Sequence, residues 1–339
     1  MNNKTDNNTV SPPLAAPADR KGLTSVQKYW LAGAVGGIVL VGLPAVYHDV
    51  FILHIMTLVF FYSIGASSLH LIIRTGHISF GHAAFMGIGG YICILLVIKA
   101  GWPLPLAVLA GMLGAAVLAA LIAAPLLRLT GKYFVLVTFL FGEILRMVAV
   151  EWISMTGGSE GLFELQQHAP VFRSHVATYY IALGSAVIGV GICLRILRSE
   201  FGRAMDAMRE GVQIAECSGV PVVRFKMVVF TIACALIAFQ GGLMTFFIGF
   251  ISPLSFSMFE SLNLVVMNVI GCLTNLGGAL LGVVFLIALP ELLRDWVELQ
   301  QVIYGLILII VMAFMPGGMI EIGVRMRAAL VRLWRGGQS

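Results

Sequence analysis

Long apolar segments alternate with short polar connections along almost the whole chain. Most of these segments approach the roughly 20 residues that a helix needs to cross a bilayer. Two short ones near the end favour either two tilted spans or one re-entrant hairpin. The pattern therefore predicts an all-α membrane bundle of about ten, at least eight, transmembrane segments. The apolar segments are 30–47, 51–73, 80–98, 104–127, 133–150, 177–197, 227–249, 259–274, 277–290 and 301–315.

Composition supports one helical membrane domain between two polar tails. Hydrophobic residues make up 59% of the chain and charged residues only 11%, whereas soluble domains carry about 25% charged residues. Period-two alternation is absent, which argues against a barrel. We expect a disordered cytoplasmic tail over 1–28, a transmembrane domain over 29–316 and a basic cytoplasmic tail over 317–339. The first apolar run is long for a signal peptide, so we expect it to be retained as a helix.

The basic residues predict the orientation of the chain in the membrane. With the amino terminus inside, 17 of the 21 Lys and Arg residues lie in inner segments, Lys99, Arg173 and Arg294 lie outside, and Arg146 lies within a helix. This bias predicts that both termini are cytoplasmic. The net charge of +5 does not indicate a nucleic-acid partner, because the basic residues sit at helix ends rather than on one face.

Metal and disulfide chemistry have little support in the sequence. The five cysteines are scattered singly without a CxxC spacing, so neither a disulfide framework nor a structural zinc site is predicted. His77 and His82 lie five residues apart, which is not one helical face, and no third ligand is evident. Their simpler interpretation is an imidazole that bonds to backbone at a helix break.

A glycine-rich segment begins at Gly76 and reads GHISFGHAAFMGIGGY. Ser79, Ala83 and Gly87 fall four apart and could form a small-residue stripe for close helix contact. Alternatively, the segment is a broken helix that lines a path through the membrane, where non-helical backbone is tolerated beside water. The candidate residues of such a path are Gly76, Ser79, Gly81, His82 and Gly87.

Two charged residues lie in the middle of the fifth apolar segment. Glu143 and Arg146 are three residues apart, so they can pair on one face of a helix. Ionisable groups at that depth are costly and usually functional. We expect an ion pair that faces the bundle interior, and the alternative is a wall of the path through the membrane.

No catalytic residue is predicted. The sequence Thr130-Gly131-Lys132-Tyr133 ends like a phosphate loop, but it lacks the upstream glycine and the Ser or Thr after Lys132. GxSxG and HExxH motifs are also absent. We therefore expect no ATP site and no cofactor in this chain.

The longest polar loop, 199–226, is basic and is predicted to be cytoplasmic. It contains an apolar stripe typical of one short helix, with Gly219 placed as its carboxy-terminal cap and Pro221 as its stop. Such a helix could lie on lipid, but its narrow apolar face and its mixture of acids and bases favour a protein partner. The stripe consists of Ala204, Met208, Val212 and Ala215.

A short internal repeat is visible. The second apolar segment ends in GHISF from Gly76, and the seventh ends in GFISP from Gly249. Each is followed by three further apolar segments, and the two copies leave the membrane on opposite sides. This arrangement predicts an inverted-topology repeat.

Several motifs in order resemble one family. The chain resembles the permease subunits of bacterial branched-chain amino acid ABC importers of the LivM type, from about residue 51 to residue 320. The motifs are GHISFGHAAFMGIGGY, LVTFLFGEILRMV, TGGSEGL, FGRAMDAMREGVQIAECSGV, FISPLSFSMFESLNLVVMNVIGCL, LPELLR and IYGLILIIVMAFMPGGMI.

The resemblance implies a type II importer-like permease in the bacterial inner membrane. It also implies a second related permease, two cytoplasmic ATPases that hold ATP and Mg²⁺, a periplasmic binding protein and surrounding lipid. Residues 214–219 resemble the coupling motif of importer permeases. The chain departs from the family pattern at two places. His77 stands where the family often has Gln, and residues 211–213 replace a usually acidic stretch. The coupling set is Arg209, Ile214, Ala215, Glu216 and Gly219.

Other functions stay open at this point. Related permeases carry urea or short amides rather than hydrophobic amino acids. An autonomous secondary transporter with inverted repeats is a further alternative, although it would need intramembrane charges for ion coupling, and only Glu143 and Arg146 are evident. A membrane-embedded enzyme lacks a nucleophile, base or metal constellation.

Overall fold

The computed structural model describes residues 40–44, 49–129, 131–217, 219–293, 302–303, 305–306 and 309. The predicted first and last apolar segments, 30–47 and 301–315, lie largely outside this part of the chain, and both tails lie outside it entirely. Residues 40–44 are helical and are considered by themselves.

The described part of the chain folds into helices joined by short connections. Its only β pairing is an isolated antiparallel bridge between Leu162 and Ile251. Short 3-10 turns occur at Leu165–Gln167, Pro170–Arg173 and Pro253–Phe256. The helices are α1 Val50–Arg74, α2 His82–Ala100, α3 Leu104–Leu126, α4 Lys132–Glu151, α5 Ile153–Thr156, α6 His175–Leu197, α7 Glu200–Glu210, α8 Val212–Cys217, α9 Val222–Ile248, α10 Met258–Gly271 and α11 Leu276–Leu292.

Six of these helices, α1, α2, α3, α4, α6 and α9, are long and apolar enough to cross a membrane. Helices α10 and α11 pass the same test together but bend by 119° at their junction, so they form a broken span or a re-entrant pair. The described residues therefore contain six spans, or seven if the bent pair is counted. The all-helical membrane bundle is confirmed, and the larger count of segments stays a prediction.

Small residues let α2, α3 and α9 approach closely. A side chain at Gly89 would overlap the backbone of Ala238 on α9, and one at Gly241 would overlap the carbonyl of Met86 on α2. A Cβ atom at Gly111 would lie 2.6 Å from the Gly89 carbonyl oxygen. The small-residue stripe of α3 is buried, as expected for a packing face. It consists of Ala107, Gly111, Ala115, Ala119 and Ala123.

The opposite face of α3 is apolar and exposed. Leucine and valine side chains recur there every three or four residues, a spacing that forms one stripe along a helix. In a membrane protein such a stripe suits contact with lipid or with another subunit. The stripe consists of Leu106, Leu109, Leu113, Val117 and Leu121.

The connection after α5 is anchored to the segment that follows α9. Leu162 and Ile251 exchange backbone hydrogen bonds of 2.8 and 3.0 Å. Gly161 adopts a φ of +80° and lies so close to Ile251 that a side chain would overlap its carbonyl. This contact anchors the chain just before the Pro253–Phe256 turn, which leads into α10.

Candidate functional site

The glycine-rich segment is a break between α1 and α2. Helix α1 ends at Arg74, Gly76 has a φ of +85°, and α2 begins only at His82. The break is held by hydrogen bonds from the Phe80 amide to Thr138 Oγ1 (3.2 Å) and from the Ala83 amide to Ser261 Oγ (2.9 Å). Non-helical backbone, buried at His77, Ser79 and Gly81, therefore lies between the ends of two long helices.

The stripe predicted through this segment is wrong, because Ser79 precedes α2 and does not share its helix with Ala83 and Gly87. Gly81 instead lies against the backbone of Thr138 on α4, and a Cβ atom at Gly87 would lie 2.9 Å from the Phe256 ring. The glycines thus allow close contacts with two separate neighbours.

The two histidines have local partners. His82 is fully buried, and its Nε2 lies 2.8 Å from Ser68 Oγ. The Nδ1 atom of His77 lies 3.2 Å from the Thr75 carbonyl oxygen, and its ring packs edge-on against Phe134. Within the described ranges no three His, Cys, Asp or Glu side chains could hold a metal ion together.

Glu143 and Arg146 form an ion pair on α4. Arg146 Nε donates to Glu143 Oε2 at 2.8 Å, and each side chain is 22% exposed. Arg146 also borders an apolar cavity of 270 Å³ between α2 and α4, to which Gly87 and Phe256 contribute as well. Two of the predicted site residues, Gly87 and Arg146, are therefore brought to one cavity.

A second cavity of 280 Å³ shares Phe256 with the first as a lining residue. It is bordered by α1, α2, α9 and the first turn of α10, to which Glu260 belongs. Sequence reasoning missed Glu260 and recognised only Glu143 and Arg146 as intramembrane charges. The signal was present, because Glu260 is the one acid in the short apolar segment 259–274.

The polar loop contains two short helices, and the prediction of a single one is wrong. Gly211 is extended and separates α7 from α8. The break turns Val212 outward to 40% exposure, whereas Met205 and Met208 are buried on α7. At the start of α7, Ser199 Oγ accepts a hydrogen bond of 3.2 Å from the Phe201 amide.

Helix α8 ends in a left-handed glycine. Gly219 has a φ of +80°, its amide donates to the Glu216 carbonyl (2.9 Å), and the Val220 amide donates to the Ala215 carbonyl (3.1 Å). These two bonds make a Schellman cap. Ala215 is buried, whereas Glu216 and Gly219 are exposed, as is Arg209 on α7. Ile214 lies within α8.

Arg74 connects this loop to the membrane helices. At the end of α1, its guanidinium forms an ion pair with Asp206 on α7. The same group donates to the Thr274 carbonyl at 2.5 Å, in the junction between α10 and α11. Sequence reasoning missed this connection, since the partners are 132 and 200 residues away along the chain.

The two segments of the predicted repeat share one local feature. Gly76 follows α1 and Gly249 follows α9, and both have a φ near +80°. Each is followed by non-helical backbone and then by a new helix, α2 or α10. The inverted repeat itself stays a prediction.

In the part of the chain that the structure describes, six apolar spans, a bent helix pair and a capped polar loop define a multi-pass helical membrane protein. Comparison with known families gives the particular class. The chain belongs to the branched-chain amino acid transport system / permease component family, whose model matches residues 51–312. It is thus a permease subunit of an ABC importer, and the family implies separate ATPase subunits and a binding protein.

Two relatives are similar over most of the chain. They are the high-affinity branched-chain amino acid transport system permease proteins LivM of Salmonella typhimurium and Escherichia coli. Each is 29% identical over 298 residues, which covers 78% of this chain and 69% of the relative. No solved structure matches the chain significantly.

Proposed function

We propose that this permease forms the inner-membrane pathway for branched-chain or other hydrophobic amino acids. It would pair with a second related permease above two cytoplasmic ATPases and receive substrate from a periplasmic binding protein. The observation that carries this proposal is the capped α7–α8 loop, whose exposed Arg209 and Glu216 suit a protein partner and whose Asp206 is bonded to Arg74.

The contacts of Arg74 suggest how the loop could act on the pathway. ATP and Mg²⁺ bind in the partner ATPases, whose closure displaces α7 and α8. Because Arg74 bonds both Asp206 and the Thr274 carbonyl, that displacement reaches the end of α1 and the α10–α11 junction together. If the helix bundle has two conformations and these contacts favour one of them, the displacement would switch the bundle between inward-open and outward-open forms.

Both chain termini are expected in the cytoplasm, on the evidence of the charge bias of 17 basic residues inside against three outside. A reporter enzyme that is active only in the periplasm, fused after Ser339, should stay inactive. The same reporter inserted after Glu164, in the connection that follows α5, should be active. The reverse pattern would overturn the orientation.

Gly219→Val should release the ATPase from an otherwise folded permease. Gly219 has a left-handed backbone and open space around it, so valine adds backbone strain of about 1–2 kcal/mol without a clash. The strain would distort the cap beside Glu216. Glu216→Lys should have a similar effect by reversing a charge at the contact. The measurement is co-purification of the ATPase with each variant, together with substrate-stimulated ATP hydrolysis.

Gly101→Val is the matched control. Gly101 also has a left-handed backbone (φ +66°) and open space, but it ends α2 at the far side of the bundle from the loop. This variant should keep its ATPase. If Gly219→Val and Glu216→Lys also keep normal binding and turnover, the loop is not the coupling element.

A further inference from the structure

We propose that the cavity beside Glu260 is a transient substrate site that binds the ammonium group of an amino acid. This inference deepens the proposed function and rests on it. It assigns a role to Glu260, which is outside the residue sets predicted from sequence. It also predicts that the site distinguishes substrates with an ammonium group from urea, amides and organic acids.

The cavity borders the middle of α1 and the end of α9. Tyr62, on its wall, is near the middle of the 25-residue helix α1. Glu260 is in the first turn of α10, which follows the Pro253–Phe256 turn. The start of α10 is also tied to the start of α2, because Ser261 Oγ accepts from the Ala83 amide. The site is therefore built on helix ends that are fixed to each other.

The carboxylate of Glu260 has no cationic partner in the part of the chain that the structure describes. Its side chain interacts with Tyr62 and Asn263, both uncharged. Its Oε1 atom is inaccessible to solvent and has no hydrogen-bond partner there. An ionised carboxylate in such surroundings is costly unless a cation or a set of donors satisfies it. An alkylammonium group supplies both, with three N–H donors.

The remaining walls suit an apolar side chain. Met86, Met244, Ile248 and Phe256 border the cavity. Methionine side chains adapt to ligands of different shapes, which fits several related aliphatic substrates. The volume of 280 Å³ lies just below the range of about 300–1,000 Å³ typical of drug-sized ligands. The cavity therefore fits a small molecule with one cationic end and one aliphatic end.

The position of the cavity also suits substrate entry. Ile248 and Phe250, which border the cavity, flank the end of α9, at the side that the charge bias assigns to the periplasm. An amino acid released there by a binding protein would meet Glu260 before it reached the cytoplasmic half of the bundle. Polar residues Thr245 and Ser255 border the same cavity and offer hydroxyl groups to the substrate.

A cysteine-protection experiment tests the site directly on the purified complex. Ser255 is exposed and borders the cavity, so Ser255→Cys introduces a reporter thiol there. Cys217, the exposed native cysteine, is changed to serine in the same chain. Alkylation of this chain by a small thiol reagent is followed by mass spectrometry. The probes are 3-methylbutylammonium and 4-methylpentanoate, which carry the same aliphatic group and opposite charges.

We expect the ammonium probe to slow alkylation and the carboxylate probe to have no effect. Glu260→Gln should weaken this protection by about tenfold or more, because the contact with a charged group is lost. Equal protection by both probes would overturn the inference, and so would the lack of protection by either probe. Both outcomes are measured without a Glu260 variant. Protection that survives in Glu260→Gln overturns the role of the carboxylate.

Transport separates this inference from the proposed function. Proteoliposomes containing the whole transporter should take up leucine, and Glu260→Gln should lower that uptake about tenfold or more. Glu151 is an exposed carboxylate at the end of α4 and provides the matched control. Glu151→Gln should take up leucine at the normal rate. Normal uptake by Glu260→Gln would reject the site and leave the function intact. Ammonium-specific protection in a complex that takes up no amino acid would reject the function and leave the site intact.

Discussion

Replacing Arg74 by leucine should separate ATP hydrolysis from transport while the helix bundle stays folded. Arg74 holds Asp206 of α7 and the Thr274 carbonyl at the same time, so its loss removes one contact with the loop and one contact with the α10–α11 junction. Asp206 keeps access to water, since its side chain is 51% exposed. The variant should therefore assemble and bind its ATPases.

The expected size of this effect follows from the chemistry of the contact. A hydrogen bond to a charged group contributes about 1.5–3 kcal/mol. If that bond is lost from only one of two conformations, the ratio of their populations changes by about tenfold or more. We expect substrate transport per ATP hydrolysed to fall by about that factor, provided that the Thr274 bond differs between the two states. Arg74→Lys should give an intermediate result, because an ammonium is a point charge without the fork of a guanidinium.

The measurement is transport and ATP hydrolysis by the same proteoliposomes. Arg195, exposed in the last turn of α6, provides a matched control in Arg195→Leu, which should transport normally. If Arg74→Leu also keeps the normal ratio of transport to hydrolysis, the displacement of the loop reaches the bundle by another route.

The transmembrane helices were predictable because burial in lipid imposes a long and continuous apolar pattern. Segment 51–73 corresponds to Val50–Arg74, and segment 104–127 corresponds to Leu104–Leu126. The bend between α10 and α11 was also foreseeable, since neither apolar segment is long enough to cross a bilayer comfortably. Segment length and hydropathy are local properties that can be read directly from the sequence.

The loop shows where periodicity fails. A helical repeat continued through Gly211 places Val212 on the same face as Met208. The extended backbone of Gly211 instead ends α7 and changes the direction of the chain. Val212 is therefore exposed, while Met205, which lies outside the predicted stripe, is fully buried. A glycine permits such a break without requiring it, so the stripe alone could not decide between one helix and two.

The sites depend on contacts that no local pattern contains. Arg74 meets partners 132 and 200 residues away, and both are supplied by the packing of α1 against α7 and the α10–α11 junction. Glu260 was overlooked for a related reason. Its depth in the membrane depends on where α10 begins, and the Pro253–Phe256 turn sets that point.

The ion pair of α4 should show strong energetic coupling in a double-mutant cycle. Glu143→Gln and Arg146→Leu should each lower the stability of the purified complex by about 3–5 kcal/mol, the usual cost of leaving one buried charge without its partner. The double variant should be less destabilised than the sum of the two, because it leaves no unpaired charge. Both side chains are 22% exposed and the pair is partly buried, so we expect values at the lower end of that range.

A second pair in the same chain is the matched control for this cycle. Glu200 and Arg203 have the same three-residue spacing and a contact of 2.7 Å, but their side chains are 90% and 72% exposed. Exposed pairs usually contribute less than about 1 kcal/mol. Glu200→Gln and Arg203→Leu should therefore be nearly neutral for unfolding and nearly additive.

Thermal unfolding of the four variants of each pair, in the assembled complex, distinguishes the two expectations. Coupling at Glu143 and Arg146 that exceeds the coupling at Glu200 and Arg203 would establish a buried structural pair at the edge of the α2–α4 cavity. Transport then defines any further role of Arg146, because this residue also borders that cavity. If the double variant is stable and still fails to transport, the pair forms a wall of the pathway. If both single variants are as stable and as active as the unmodified complex, the pair is solvated and our interpretation of α4 is wrong.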